Sequence, residues 1–194
     1  MQIIQRNEIL PIGEYETIRP HFRARVIEAK RARRVALGEH ISVAFENRDS
    51  VLLQIQEMLR TERITGEAAI AHEIATYNDL VPGAGQLSLT LFVEIADKPT
   101  RERVLVELAG LEGALGVEVD GRLFPASGPL PDGFIEGRTT AVHYLKATLD
   151  AAAVAAVKDG QARAALVLDH PRLSLRAELA KATLAQLALD LGSP

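Results

Sequence analysis

Residues 87–97 read LSLTLFVEIAD, and this stretch decides the fold. Leu87, Leu89, Leu91, Val93 and Ile95 recur at every second position, so in an extended chain they share one face. A helix would scatter them around its circumference. Working outward, residues 40–47, HISVAFEN, alternate in the same way. Ile41, Val43 and Phe45 point to one side and Ser42, Ala44 and Glu46 to the other, which predicts a half-buried strand. Residues 116–126, GVEVDGRLFPA, read as a hairpin, because Asp120-Gly121 suits the two positive-φ positions of a type I′ turn. Residues 162–179, ARAALVLDHPRLSLRAEL, predict a second hairpin that turns at Asp169 to Arg172, and Thr139 to Leu149 reads as a further strand.

Helical patterns lie between these strands. One runs from near Arg19 to Arg34, with Pro20 in its first turn and Phe22, Val26 and Ala29 as its apolar stripe. Another begins near Val51 behind a cap from Asn47, Asp49 or Ser50. A third, capped by Thr65, covers Glu67 to Tyr77 with Ile70, Ile74 and Tyr77 inward. Further helices are expected near Arg101 to Leu111, over Ala151 to Lys158, and from about Ala180 to Leu191. No regular strand–helix–strand alternation appears. The expected class is therefore α+β, with a mainly antiparallel sheet, helices packed against it, and a single domain over residues 1–194.

Bulk properties exclude several functions. Of 194 residues, 47% are hydrophobic and 25% charged, a globular balance. A net charge of -4 gives no global bias toward nucleic acid. Cysteine is absent, which removes disulfides, thiolate metal sites and cysteine nucleophiles. No apolar run is long enough to cross a membrane and MQIIQRNEIL lacks the shape of a signal peptide, so a cytoplasmic location is expected. VPGAGQL has neither the spacing nor the lysine of a phosphate loop, and neither G-x-S-x-G nor H-E-x-x-H occurs.

The chemistry-bearing residues concentrate in residues 45–63, FENRDSVLLQIQEMLRTER. On a helix, Val51, Leu52, Ile55, Met58 and Leu59 form an apolar arc. Gln54, Glu57 and Thr61 neighbour one another on the far side. Glu62 projects near the centre of the apolar arc, so part of this polar set is expected to be buried and to need partners. Upstream, HFRARVIEAKRARR supplies a local basic density, with Arg19, Arg23, Lys30 and Arg34 along one stripe. The plainer reading is an ion-paired helix in which Arg19 or Arg23 reaches Glu57 or Glu62. The sharper one is an anion- or nucleic-acid-binding surface. The candidate binding set is Arg19, Arg23, Glu46, Arg48, Gln54, Glu57, Arg60 and Glu62. A metal is a further possibility, with Glu57, Glu62, His72 and Glu73 as ligands and Glu46 nearby, although the Glu-x-x-His pair of di-iron bundles is missing. His72 projects away from the apolar face of its helix. His143 shares a strand face with Ala141 and Leu145 and reads as a hydrogen-bonded core residue. His170, before Pro171, reads as a turn residue.

Residues 19–38 (RPHFRARVIEAKRARRVALG), 45–64 (FENRDSVLLQIQEMLRTERI), 72–83 (HEIATYNDLVPG) and 141–145 (AVHYL) resemble a bacterial family known as domain of unknown function 3501. The resemblance carries over no catalytic residue and no cofactor. It implies a genomic setting beside rubrerythrin-like and iron–sulfur reductase-like proteins, and hence a redox or stress-response partner. Three functions are therefore expected in competition. They are a non-enzymatic binding or accessory protein, a metal- or cofactor-dependent enzyme, and an anion or nucleic-acid binder. A homodimer is the expected assembly.

Overall fold

The computed structural model describes residues 2–130 and 135–192. Eight strands form one sheet in the order β1-β2-β3-β6-β5-β4-β7-β8, with every neighbouring pair antiparallel. The strands are β1 (Arg34–Ala36), β2 (Ile41–Glu46), β3 (Gln86–Val93), β4 (Leu115–Val119), β5 (Arg122–Ser127), β6 (Val142–Thr148), β7 (Ala164–His170) and β8 (Leu173–Glu178). The sheet curls into a nearly closed barrel. Its two edges approach where a Cβ built on Gly38, just after β1, would stand 3.3 Å from Leu175 of β8. The α+β class and the antiparallel sheet are as the alternating patterns predict.

Register explains the core. Val43 pairs with Leu91 and Leu89 with Leu145, so the apolar alternation of three strands falls on one concave surface. Val117 and Leu166 continue that surface across β4 and β7. The β4–β5 turn carries Asp120 at φ 48° and Gly121 at φ 79°, the I′ geometry expected of Asp-Gly. The β7–β8 hairpin closes over Pro171 and Arg172.

Helices stop the barrel at both ends. α4 (Lys98–Glu107) sits at one end, where Thr139 donates to the Leu105 carbonyl. His170 binds the Ala109 carbonyl there through Nε2 at 3.0 Å, while its Nδ1 accepts from the Arg172 amide. His170 is thus a buried clamp rather than a plain turn residue. α5 (Ala151–Lys158) and α6 (Lys181–Gly192) pack together at the other end. There Arg33 and Asp190, both buried, form an ion pair, and Gln186 takes a further Arg33 donor. Burial pushes the Asp190 carboxyl up, and the Arg33 contact opposes this only in part.

Outside the sheet, α1 (Ile12–Arg31), α2 (Arg48–Thr61) and α3 (Glu67–Asn78) form a layer, and α1 and α2 reach Glu46 at the end of β2 through Lys30 and Ser50. This corrects the half-buried reading of β2. All six of its residues are buried, because Lys30 and Ser50 cover Glu46 and the Arg34 and Glu94 side chains cover Ser42. A second apolar cluster joins Ile4, Ile9, Val51, Ile55, Leu59, Ile70 and Ile74. Two side-chain amides fasten the N-terminal segment to this layer: Gln56 bonds both backbone groups of Leu10, and Asn78 both of Ile4. Asn47 caps α2 in a reciprocal box with Ser50. α1 begins at Ile12, seven residues before the expected start, and Pro20 lies inside it rather than in its first turn. The first turn survives because Pro11 precedes it and Tyr15 is fully buried.

Candidate functional site

The polar face of α2 points at partners within the fold. Arg19 grips Glu57 with both ends of its guanidinium, at 2.7 and 2.8 Å, and the Tyr15 hydroxyl donates to the same carboxylate at 2.6 Å. The Arg19 fork, with help from Tyr15, holds Glu57 down to about 2, well below its ordinary 4.5. Burial and the hydrogen bond to Glu57 raise the Tyr15 hydroxyl. Arg60 bonds Glu16, and Arg48 is tied to Glu8 and the Gln2 carbonyl. Glu46 is buried and accepts from Ser50 at 2.5 Å and Thr90 at 3.0 Å, with Lys30 Nζ at 3.2 Å. Gln54 reaches the Tyr77 hydroxyl. Of the remaining predicted residues, Arg23 is exposed on α1 and Glu62 is the exposed C-cap of α2.

The expected metal ligands do not converge. Glu57 is saturated by Arg19 and Tyr15, His72 is exposed and Glu73 half-buried on α3. Among the described residues, no group of three or more histidine, aspartate or glutamate side chains could hold a metal ion. The basic helix is likewise committed. Arg19, Arg25, Lys30 and Arg31 each pair with a carboxylate. The arginine–carboxylate pattern from 19 to 62 is a wall that joins helices to one another and to the sheet.

The better site lies along β6, at the joint where its pairing with β5 ends. β5 and β6 pair only at Ala126–Ala147 and Ser127–Lys146. Beyond that point Gly128 lies against the β6 backbone, so close that a Cβ there would stand 2.0 Å from the Tyr144 carbonyl oxygen. The strands then separate, and a cleft of about 700 Å³ opens over Tyr144 to Lys146. The C-terminal end of α3 forms one wall through Thr76, Asp79 and Leu80; Ser127 to Leu130 form the other. Lys146 is half-buried and donates to the Val81 carbonyl at 3.3 Å.

His143 borders this cleft through its place on β6, but its side chain shares the inner face with Leu145 and is only 3% exposed. Its Nε2 lies 2.9 Å from the Thr140 carbonyl and 2.8 Å from Thr139 Oγ1. A carbonyl can only accept, so Nε2 carries the proton. Thr139 in turn donates to Glu112 Oε2 at 3.1 Å, which leaves its oxygen free to accept from the ring. Burial holds His143 below its ordinary value, so the ring is neutral at pH 7. No described residue bonds Nδ1. The ring is thus a fixed part of the inner face of β6, behind the cleft. The sequence signal for its hydrogen bonds was Thr139-Thr140 just before His143, two threonines within reach of one ring.

No helix among the described residues is long and apolar enough to cross a membrane. Comparison with curated proteins finds no match. A crystal structure at 1.90 Å of a novel protein of unknown function from Burkholderia pseudomallei superposes with a TM-score of 0.89. That chain is 31% identical, and the match covers 98% of this chain and all of the other. A family model described as protein of unknown function (DUF3501) matches residues 3–191. With both matches spanning nearly its whole length, the chain belongs to this DUF3501 family.

Proposed function

We propose that the protein is a non-enzymatic binding protein that holds a small molecule in the β6 cleft and serves as accessory to a redox or stress-response partner. The observation that carries the binding half is the cleft itself, about 700 Å³ between the end of α3 and Ser127 to Leu130, with Tyr144 and Lys146 at its floor. Pockets of this size, mostly apolar with few fixed polar groups, are the usual form of small-molecule sites. Binding is favoured over catalysis by the way the polar groups are occupied. Nε2 of His143 is held by two threonines, and Lys146 is bonded to a backbone carbonyl. The partner half draws on the family resemblance, with a rubrerythrin-like or iron–sulfur reductase-like protein as the partner. A chain without cysteine leaves thiol and cluster chemistry to that partner. A homodimer belongs to the same proposal, supported by Val106 on α4 and Ile135, both apolar and more than half exposed.

Native mass spectrometry of the purified protein tests both points. The expected spectrum is a dimer carrying a small-molecule mass that a cleft-filling Ser127→Trp variant loses. Retention of the same mass by that variant would move the site elsewhere. No bound mass, together with no thermal stabilisation by a metabolite library, would overturn the binding reading.

A further inference from the structure

A polar row crosses the outward face of the sheet at the β6 cleft. Glu46, Ser88, Lys146 and Ser127 stand in direct register across β2, β3, β6 and β5. Alternation puts their side chains opposite the inward Leu89 and Leu145. Glu46, at one end, is already satisfied by Lys30, Ser50 and Thr90. The other three line the cleft. Ser88 is only 2% exposed, yet its hydroxyl has no hydrogen-bond partner among the described residues. A buried hydroxyl in that state costs free energy unless a further group completes it. Lys146 stands beside it, since directly opposed residues of an antiparallel pair have Cβ atoms about 5 Å apart. The Lys146 ammonium is half-buried. It directs one proton to the Val81 carbonyl at 3.3 Å and pairs with no carboxylate among the described residues. The Ser127 hydroxyl, also without a partner among the described residues, ends the row.

We infer, on the binding reading above, that the cleft takes a small organic carboxylate with an apolar body. Its carboxylate sits on Lys146 and Ser88, and its body lies against Leu80, Pro129, Leu130 and the Tyr144 ring. All three polar groups of the row can donate, and a carboxylate has oxygens to accept from each. One ammonium matches one negative charge, so a carboxylate fits better than a phosphate dianion. Asp79 is the other charged liner, but it is exposed and its charge is screened by water, whereas Lys146 is half-buried. No base is bonded to Ser88, in keeping with a ligand that is held and not cleaved.

The test is an amide-resolved NMR titration of the intact protein at pH 7 with benzoate, benzamide and phenyl phosphate. These share one ring and differ in charge. The expected result is that benzoate shifts the amides of Ser88, Ser127, Tyr144 and Lys146, and binds about tenfold tighter than benzamide, the effect of one charge-assisted hydrogen bond. Equal binding of benzamide would overturn the anion assignment while leaving a binding cleft in place. Tighter binding of phenyl phosphate would overturn the choice of carboxylate. If none of the three moved these amides, the carboxylate class would fall. The binding reading would fall with it only if a metabolite library also left them unmoved. Two variants check the anchors. Lys146→Met should bring benzoate and benzamide to equal affinity, and a preference that survived would contradict the role of the ammonium. Ser88→Ala, a smaller change on the same floor, should weaken benzoate about threefold. Unchanged affinity would remove Ser88 from the site.

Discussion

Glu57 and His143 show how single residues reveal their role through what surrounds them. Glu57 is held by a bidentate arginine and a buried tyrosine hydroxyl, and its carboxyl is drawn down to about 2. The unfolded chain takes up a proton near the ordinary 4.5, so the stabilisation is complete above that pH and is lost as pH falls from about 4.5 to about 2. With about a quarter of the side chain still in contact with water, the contribution is about 2 kcal/mol after allowance for screening. Glu57→Ala should therefore cost about 2–3 kcal/mol in urea unfolding at pH 7, since it strands Arg19 and the Tyr15 hydroxyl. The variant should also flatten the acid limb. An unchanged midpoint would mean that the cluster stabilises nothing. His143 is shifted the opposite way from a histidine that gains an acidic partner. Burial depresses its folded value, so the unfolded state binds the proton first. Stability is then full above about pH 6.5 and falls as pH drops through it. His143→Gln should lose that slope, as read by unfolding midpoints from pH 8 to pH 5.

At the scale of elements, the joint between β5 and β6 sets the site. Two paired residues hold the strands together before the chain turns away at Gly128. Gly128→Ala would drive a Cβ into the Tyr144 carbonyl, a backbone clash that no side-chain movement relieves. The expected cost is on the order of 2 kcal/mol, with altered amide shifts at Tyr144 and Leu145. This site was only partly legible. LSLTLFVEIAD and HISVAFEN announced the strands and their inward faces, because alternation is a local property. His143 could be placed on the apolar face for the same reason. The cleft on the other face of β6 could not, since it arises from where β5 stops pairing and where α3 ends, and both depend on contacts distant in sequence. The burial of Ser42, Ala44 and Glu46 was hidden likewise. A polar alternation looks the same whether water or a helix lies beyond it. The Arg19–Glu57 pair was readable because helical spacing put opposite charges on two amphipathic neighbours. Glu62 misled, since at the last turn it sits outside the packed arc.

Across the whole molecule, a nearly closed barrel fills its own interior and is stoppered by helices at each end, so a ligand site is left to gaps in the wall. The Arg33–Asp190 pair locks the C-terminal helix across one end. Arg33→Ala should cost about 3–5 kcal/mol, because it leaves a buried carboxylate alone, whereas replacing both partners by Met and Leu should be close to neutral. Chemical denaturation of the two variants distinguishes a lock from an incidental contact. The α1–α2 wall and the end helices are thus accounted for by stability, and the cleft beside β6 is the proposed place for binding. That reading depends on a small molecule entering the cleft. The decisive measurement is an amide-resolved NMR titration of the intact protein with a library of small metabolites. A compound that shifts the amides of Ser127, Gly128, Tyr144 and Lys146 is the predicted result. A library in which every compound left these amides unmoved would contradict the site.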